Sequence, residues 1–306
     1  SAIAIDREGH VLTNTPIWMD TRAQDICDRL NAQIGADRIF EVSGNMLRPS
    51  YTTAKIIWYK ENLPEVYAKI DKILQANSFI AYRLTGAVTQ DICQSYGFHC
   101  FNMRTGQWDM DMCDELGIPR HFLPKIVPCH QVVGTVTEEA AVQIGLVSGI
   151  PVVAGGLDAA CGALGAGVIH AGETQEQGGQ AGGMSICMDS YTADPRLILG
   201  YHVVPGKWLL QGGSTGGGGV MKWMEREFGA YERSIAKETG KSSLDQYNEQ
   251  AAAIPPGSEG VVFLPYMSGE RSPIWDPNAK GVFYGLDFGK TKAHMIRAAM
   301  EGVAFS

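Results

Sequence analysis

Two stretches of the chain carry residue types and spacings that could do chemistry. In "PVVAGGLDAACGALGAG", residues 151 to 167, a single carboxylate, Asp158, stands between an apolar run and an alanine- and glycine-rich stretch. An Asp ahead of such a helix ordinarily serves as an N-cap, accepting backbone N–H bonds worth about 1 kcal/mol. An Asp at the carboxyl end of a strand in an α/β domain also stands where ligands bind, and it can accept a proton from a substrate hydroxyl. The window by itself favours the cap. The second stretch, "GGSTGGGG" at residues 212 to 219, lies between an expected strand and an expected helix. Backbone N–H groups unobstructed by Cβ atoms can approach an anion at the start of a helix. It is not a Walker A loop, because no Gly-Lys-Ser/Thr follows. The same tract contains Gly212-x-Ser214-x-Gly216, the pattern of a nucleophile elbow, and Asp276 or Asp287 followed by His294 supplies the chain order of an α/β-hydrolase triad. Acyl hydrolysis at Ser214 is therefore a competitor, weakened by the four glycines between the serine and its helix.

Other chemistries find less support. The seven histidines show no HExxH or other metal spacing, and the seven cysteines (Cys27, Cys93, Cys100, Cys113, Cys129, Cys161, Cys187) are odd in number, scattered and never CxxC. They read as reduced, mostly buried thiols, and no metal site is expected. A net charge of -8 and the absence of a basic cluster argue against nucleic acid as a partner. No run of about 18 apolar residues could cross a bilayer, and the start "SAIAIDREGHVL" lacks a secretory pattern, so no membrane partner and a cytoplasmic location are the expectations. A small-molecule partner follows.

These residues need elements to position them. "SAIAID" reads as a strand entering a hairpin at Arg7-Glu8-Gly9. "RAQDICDRLNAQIG" puts Ala23, Ile26, Leu30 and Ile34 on one helical face and stops at Gly35. "TTAKIIWYKEN" and "NSFIAYRLTG" are helices, the second opened by Asn77 or Ser78 and closed near Gly86. "PVVAGG" reads as a short buried strand that delivers Asp158 to a small-residue helix. Further on come strands at "MSICMD" and "WLLQ", a buried strand at "GVVFLPY" and a helix at "VMKWMEREFG". A capping box joins Ser243 and Gln246, and a last helix sets Ile296, Met300 and Val303 on one face. The six tryptophans, spread one per segment, suit core packing. At 306 residues, two domains are expected. The polar, glycine-rich "HAGETQEQGGQAGG" marks the boundary, giving residues 1–170 and 171–306 in an α/β or α+β architecture.

Taken together, "PIWMDTRA", "AYRLTGAVTQD", "VVAGGLDAACGALGAG", "GGGGVMKWMEREFG" and "LPYMSGERSPIWDPNAKGVFYGLDFGKTKAHMIRAAMEGVAFS" resemble the FGGY carbohydrate kinases in order and spacing. The style is closest to xylulokinases, with similarity to glycerol kinases as well. The resemblance implies an α/β, two-lobed, actin-like (ribonuclease-H-like) ATPase fold with substrate and nucleotide in the cleft between the lobes. The implied activity is ATP-dependent phosphorylation of a sugar or polyol hydroxyl, with Mg²⁺ bridging the phosphates. Asp158 inherits the roles of catalytic base and substrate contact, and Ala159 stands where relatives place a polar substrate contact. Gly182, Gly183, Gly217, Gly218 and Lys222 fall on nucleotide positions. Gly183 replaces a threonine whose hydroxyl normally meets a phosphate. Relatives begin with strands upstream of residue 1 and finish with an adenosine motif downstream of residue 306, so both lobes are expected to be partial. A non-catalytic sugar- or nucleotide-binding relative stays open as the alternative, as does a homodimer.

Overall fold

The computed structural model describes residues 1–306. Contacts divide the chain into one unit of residues 1–174 and 186–210 and a second of residues 175–185 and 211–306. The boundary falls inside three strands, Thr174–Gly178, Gly182–Met188 and Trp208–Ser214. With Ile198–Tyr201 these form a four-stranded sheet in the order Ile198–Tyr201, Trp208–Ser214, Gly182–Met188, Thr174–Gly178.

In the first unit the strand Ile3–Ile5 pairs antiparallel with Lys72–Leu74. Helix Thr52–Asn62 packs beside them, burying Ile56 and Tyr59 against Ala2, Ala4 and Ile73. The Tyr59 hydroxyl donates to the Ala2 carbonyl at 2.8 Å, which satisfies the one polar atom this ring carries into the core. Two further pairs matter for the site. Thr89–Asp91 runs parallel to Lys125–Val127, and Val132–Thr135 runs antiparallel to Pro151–Val153 with an irregularity between Val132 and Gly134. In the second unit Val262–Leu264 pairs antiparallel with Val282–Tyr284. Helices Gly218–Phe228, Ser243–Ala252 and Lys292–Phe305 gather Met224, Tyr247, Phe263, Ile296 and Ala299 into its core.

The helices Thr52–Asn62 and Lys292–Phe305 match their sequence reading, and Ile296, Met300 and Val303 do share the packed face. The helix that opens at Gln24 ends in a π turn over Asn31–Gly35, where Gly35 leaves helical geometry at φ +99° as its sequence reading expects, and a separate helix Ala36–Ser43 starts directly behind it and ends at Gly44 in the left-handed region. Several local expectations are corrected. Helix Ala76–Thr85 begins at Ala76 behind Gln75 with no side-chain cap, so neither Asn77 nor Ser78 caps it; Asn77 instead donates to Asp91. The cap of Ser243–Ala252 is Ser242, which accepts from the Leu244 N–H, while the Ser243 hydroxyl donates to Glu225. The strand Pro151–Val153 has exposed residues at both ends and is not buried, Val262–Leu264 likewise buries only Phe263, and Trp18 is exposed where core packing was expected.

Candidate functional site

The strand Pro151–Val153 reaches helix Asp158–Gly165 through Ala154-Gly155-Gly156-Leu157. Two hydrogen bonds pin this turn: Ala154 N–H donates to the Gln131 carbonyl at 2.9 Å and Gly155 N–H to the Cys129 carbonyl at 3.0 Å. Gly155 takes φ +74°, a conformation costly for any residue with a Cβ, and the space around it is open. At Gly156 a Cβ would lie 2.6 Å from Val203 Cγ1, so the backbone approaches its neighbour as only glycine allows. Below the turn, Ala160 and Ala163 are fully buried, which lets this short helix pack closely.

Asp158 is not the N-cap. Leu157 holds that position without any side-chain capping bond, and Asp158 is the first helical residue. Its Oδ1 accepts the Ala159 N–H at 2.8 Å, and the side chain is exposed to solvent. A carboxylate in the first turn is favoured by the helix dipole by about 0.3 to 1 kcal/mol, so the site tolerates a charge here with little structural demand on it. That leaves an accessible oxygen base on a fixed backbone. Ala159, half-buried, offers only a methyl group and the N–H already directed at Asp158.

The glycine tract is ordered by its neighbours. Strand Trp208–Ser214 includes Gly212, Gly213 and Ser214, and helix Gly218–Phe228 starts behind Gly217. Gly182 and Gly183 are the first residues of strand Gly182–Met188, and the turn before it is Gly179-Gln180-Ala181. That turn sits on the helix start: Gly218 N–H donates to the Gly179 carbonyl at 2.7 Å and Gly219 N–H to the Gln180 carbonyl at 3.1 Å. A Cβ at Gly217 would lie 2.3 Å from the Ala181 carbonyl carbon, and one at Gly218 would lie 2.8 Å from the Gly179 oxygen. The glycines thus let a hairpin turn and a helix N-terminus meet backbone to backbone. Gly182 and Gly217 are brought together, while Gly183 lies against Gly212 and Gly213. Lys222, one turn into the helix from Gly218, is exposed.

The serine pattern does not make a triad. The Ser214 hydroxyl donates to Glu270 Oε2 at 2.8 Å, and its oxygen accepts the Gly216 N–H at 3.1 Å. His294 is occupied elsewhere, with Nδ1 beside the Thr291 hydroxyl at 3.0 Å and Nε2 beside Glu259 at 3.3 Å. The helix starts four residues after the serine instead of directly behind it. Sequence reasoning missed Glu270. Only 5% exposed, it also accepts the Thr215 N–H at 3.1 Å and the Arg271 N–H at 2.6 Å, tying the glycine tract to the segment 269–272. A separation of 56 residues between partners leaves no local pattern to read.

Residues 1–165 match the N-terminal domain of the FGGY family of carbohydrate kinases and residues 190–306 match its C-terminal domain; the chain belongs to that family. It is 29% identical to the xylulose kinase of Bacillus subtilis (strain 168), over 99% of this chain and 59% of that protein. It is 29% identical to the gluconokinase of Bacillus licheniformis, over 100% and 60%. The crystal structure of xylulose kinase from Rhodospirillum rubrum superposes with a TM-score of 0.85 at 31% identity, over 99% of this chain and 60% of that one. The fold is thus the α/β actin-like fold of these kinases, and the chain spans about 60% of the length of the relatives it matches. No helix is long and apolar enough to cross a membrane.

Proposed function

We propose that the protein is an ATP-dependent carbohydrate kinase in which Asp158 accepts the proton of the attacking sugar or polyol hydroxyl. One observation carries this reading: in a chain of this family, an exposed carboxylate stands at a strand-to-helix junction whose backbone is pinned at Ala154 and Gly155. Phosphoryl transfer rests mainly on positioning and charge neutralisation, and it asks one carboxylate to orient the nucleophile. The xylulose kinase and gluconokinase relatives point to a ketopentose or an aldonate as substrate. The methyl of Ala159 removes one polar contact and favours a substrate that is less hydroxylated, or differently oriented, at that point.

The phosphates of ATP are assigned to the Gly182, Gly217 and Gly218 backbone, with Lys222 one helical turn away. The donor set fits: the Gly218 and Gly219 N–H groups already bind oxygen acceptors, the carbonyls of Gly179 and Gln180. Phosphate oxygens are stronger acceptors than carbonyls and would take their place as the turn 179–181 draws back. Mg²⁺, carried in with the phosphates through oxygen ligands, would neutralise charge during transfer. Within this picture Asp158 orients and deprotonates the hydroxyl, and the glycine backbone holds the donor.

A second reading, a sugar- or nucleotide-binding relative without transfer, is favoured by Gly183 and Ala159, which offer no polar side chain where the family resemblance expects one. A coupled ATPase assay on the complete protein against ketopentoses, ketohexoses, polyols and aldonates separates the two. Turnover with at least one sugar is expected. Calorimetric sugar binding with no phosphorylated product across the panel would instead establish the second reading.

A further inference from the structure

The parallel strands Thr89–Asp91 and Lys125–Val127 pair in a register that sets Asp91 opposite Val127. Two residues beyond each of these positions the chain carries a cysteine, Cys93 and Cys129. Parallel neighbours in matched register deliver equivalent positions side by side, so the two thiols meet although 36 residues separate them. Asp91 joins them: one ligand atom from each of the three lies within 4.8 Å of the others, and all three residues are buried.

The carboxylate is held from outside. Its Oδ2 accepts from Asn77 Nδ2 at 2.6 Å and Gln90 Nε2 at 3.0 Å, its Oδ1 accepts the Gln94 N–H at 2.8 Å, and Oδ1 faces Cys129 Sγ at 3.9 Å. Outer hydrogen bonds that fix a carboxylate with one oxygen turned toward sulfur are what a metal ligand requires of its surroundings. Cys93 Sγ donates to the Tyr201 carbonyl at 2.8 Å. A Cβ built on Gly156 would lie 3.4 Å from Cys129 Sγ and 3.6 Å from the sulfur of the exposed Cys161, which puts those two sulfurs within about 7 Å of each other.

We propose that Asp91, Cys93 and Cys129 bind one thiophilic divalent cation of the zinc class, with Cys161 or water completing a four-coordinate site. Two sulfurs with one carboxylate select zinc-like ions over Mg²⁺ or Ca²⁺, which take oxygen ligands. On binding, each of the two thiols loses its proton to solvent and forms a metal–sulfur bond; no electrons are transferred. The site lies directly under the Asp158 turn, because the Cys129 carbonyl accepts the Gly155 N–H and Leu157 packs against Cys93 and Cys129. Occupancy would therefore stiffen the segment that presents Asp158.

Cd²⁺ and Co²⁺ are the probes. The reduced, chelator-treated complete protein, shown to be folded by circular dichroism, is titrated with each while thiolate-to-metal charge-transfer absorption and proton release in weak buffer are recorded. One ion per chain and about two protons per ion are expected. The band should vanish in Cys93→Ala and in Cys129→Ala, affinity should fall about tenfold or more in Asp91→Asn, and Cys27→Ala should behave as the unaltered protein. No band at one equivalent in the folded unaltered protein overturns the proposal without reference to any variant. A band that survives in both cysteine variants overturns it too.

Discussion

Replacing Glu270 by Ala should loosen the glycine tract more than any surface change could. The carboxylate receives the Ser214 hydroxyl and the N–H groups of Thr215 and Arg271 at a position 5% exposed, so its removal leaves three donors without their acceptor. A hydrogen bond to a charged group contributes about 1.5 to 3 kcal/mol, and a buried donor left unmet costs about 1 to 3. Partial rescue by water lowers the sum, and a net loss of about 3 to 4 kcal/mol is expected. Glu270→Gln keeps one carbonyl oxygen for the two N–H groups, and its amide can donate to the Ser214 oxygen once that hydroxyl rotates; its cost should be about 1 kcal/mol. Amide hydrogen exchange over residues 212–219 reads this locally. At 1.4 kcal/mol per factor of ten, Glu270→Ala should speed exchange by about 10² or more and Glu270→Gln by about tenfold or less. Equal exchange in Glu270→Ala and the unaltered protein would refute the clamp, and a Gln variant as fast as the Ala variant would refute its charge-independent part.

Three other outcomes follow from the geometry. Gly217→Ala places a Cβ 2.3 Å from the Ala181 carbonyl carbon and 2.5 Å from the Gly182 nitrogen, so overpacking of about 1 to 3 kcal/mol should push the turn off the helix start. Exchange at the Gly218 and Gly219 amides should rise about tenfold or more, and unchanged protection would contradict the contact. Gly155→Ala meets open space but must hold φ +74°, so a loss of about 1 kcal/mol in thermal stability is expected with no steric component; a variant as stable as the parent would count against the strain. His99, fully buried between Thr53 and the Met46 carbonyl, has its pKa lowered from 6.5 to about 4 by burial. The unfolded chain then binds the extra proton between those values, so the parent should lose up to about 3 kcal/mol relative to His99→Gln as pH falls from 6.5 to 4. Parallel stability profiles for the two proteins would contradict this.

Elements built on local rules were legible in the sequence. Thr52–Asn62 follows from its composition, and Gly86 ends its helix in the left-handed region, as a C-cap glycine should. Helix starts were less legible, because Gln75 and Leu157 hold cap positions with no side-chain bond and so lack the usual signal. The break at Gly35 was legible too, since its φ of +99° is one that glycine adopts without strain; the helix Ala36–Ser43 that starts behind it, burying Ile39 and Val42, was not. The place of Asp158 between strand and helix suggested a cap, which Leu157 holds instead, and its role as base rests on the family resemblance. The partners of Ser214, and the meeting of Asp91, Cys93 and Cys129, depend on contacts across 36 to 56 residues that no spacing rule encodes. The same holds for the turn 179–181 seated on Gly218 and Gly219.

The most direct test of the proposed function is the turnover of Asp158→Asn in the complete protein, with ATP and whichever sugar of the panel gives the parent its fastest turnover. The amide keeps an oxygen for the Ala159 N–H but cannot accept the substrate proton. A fall in kcat of about 10² to 10⁴ is expected, with sugar binding by calorimetry within a few-fold of the parent. A variant that turns over at a rate near the parent's would contradict the assignment of Asp158 as the base.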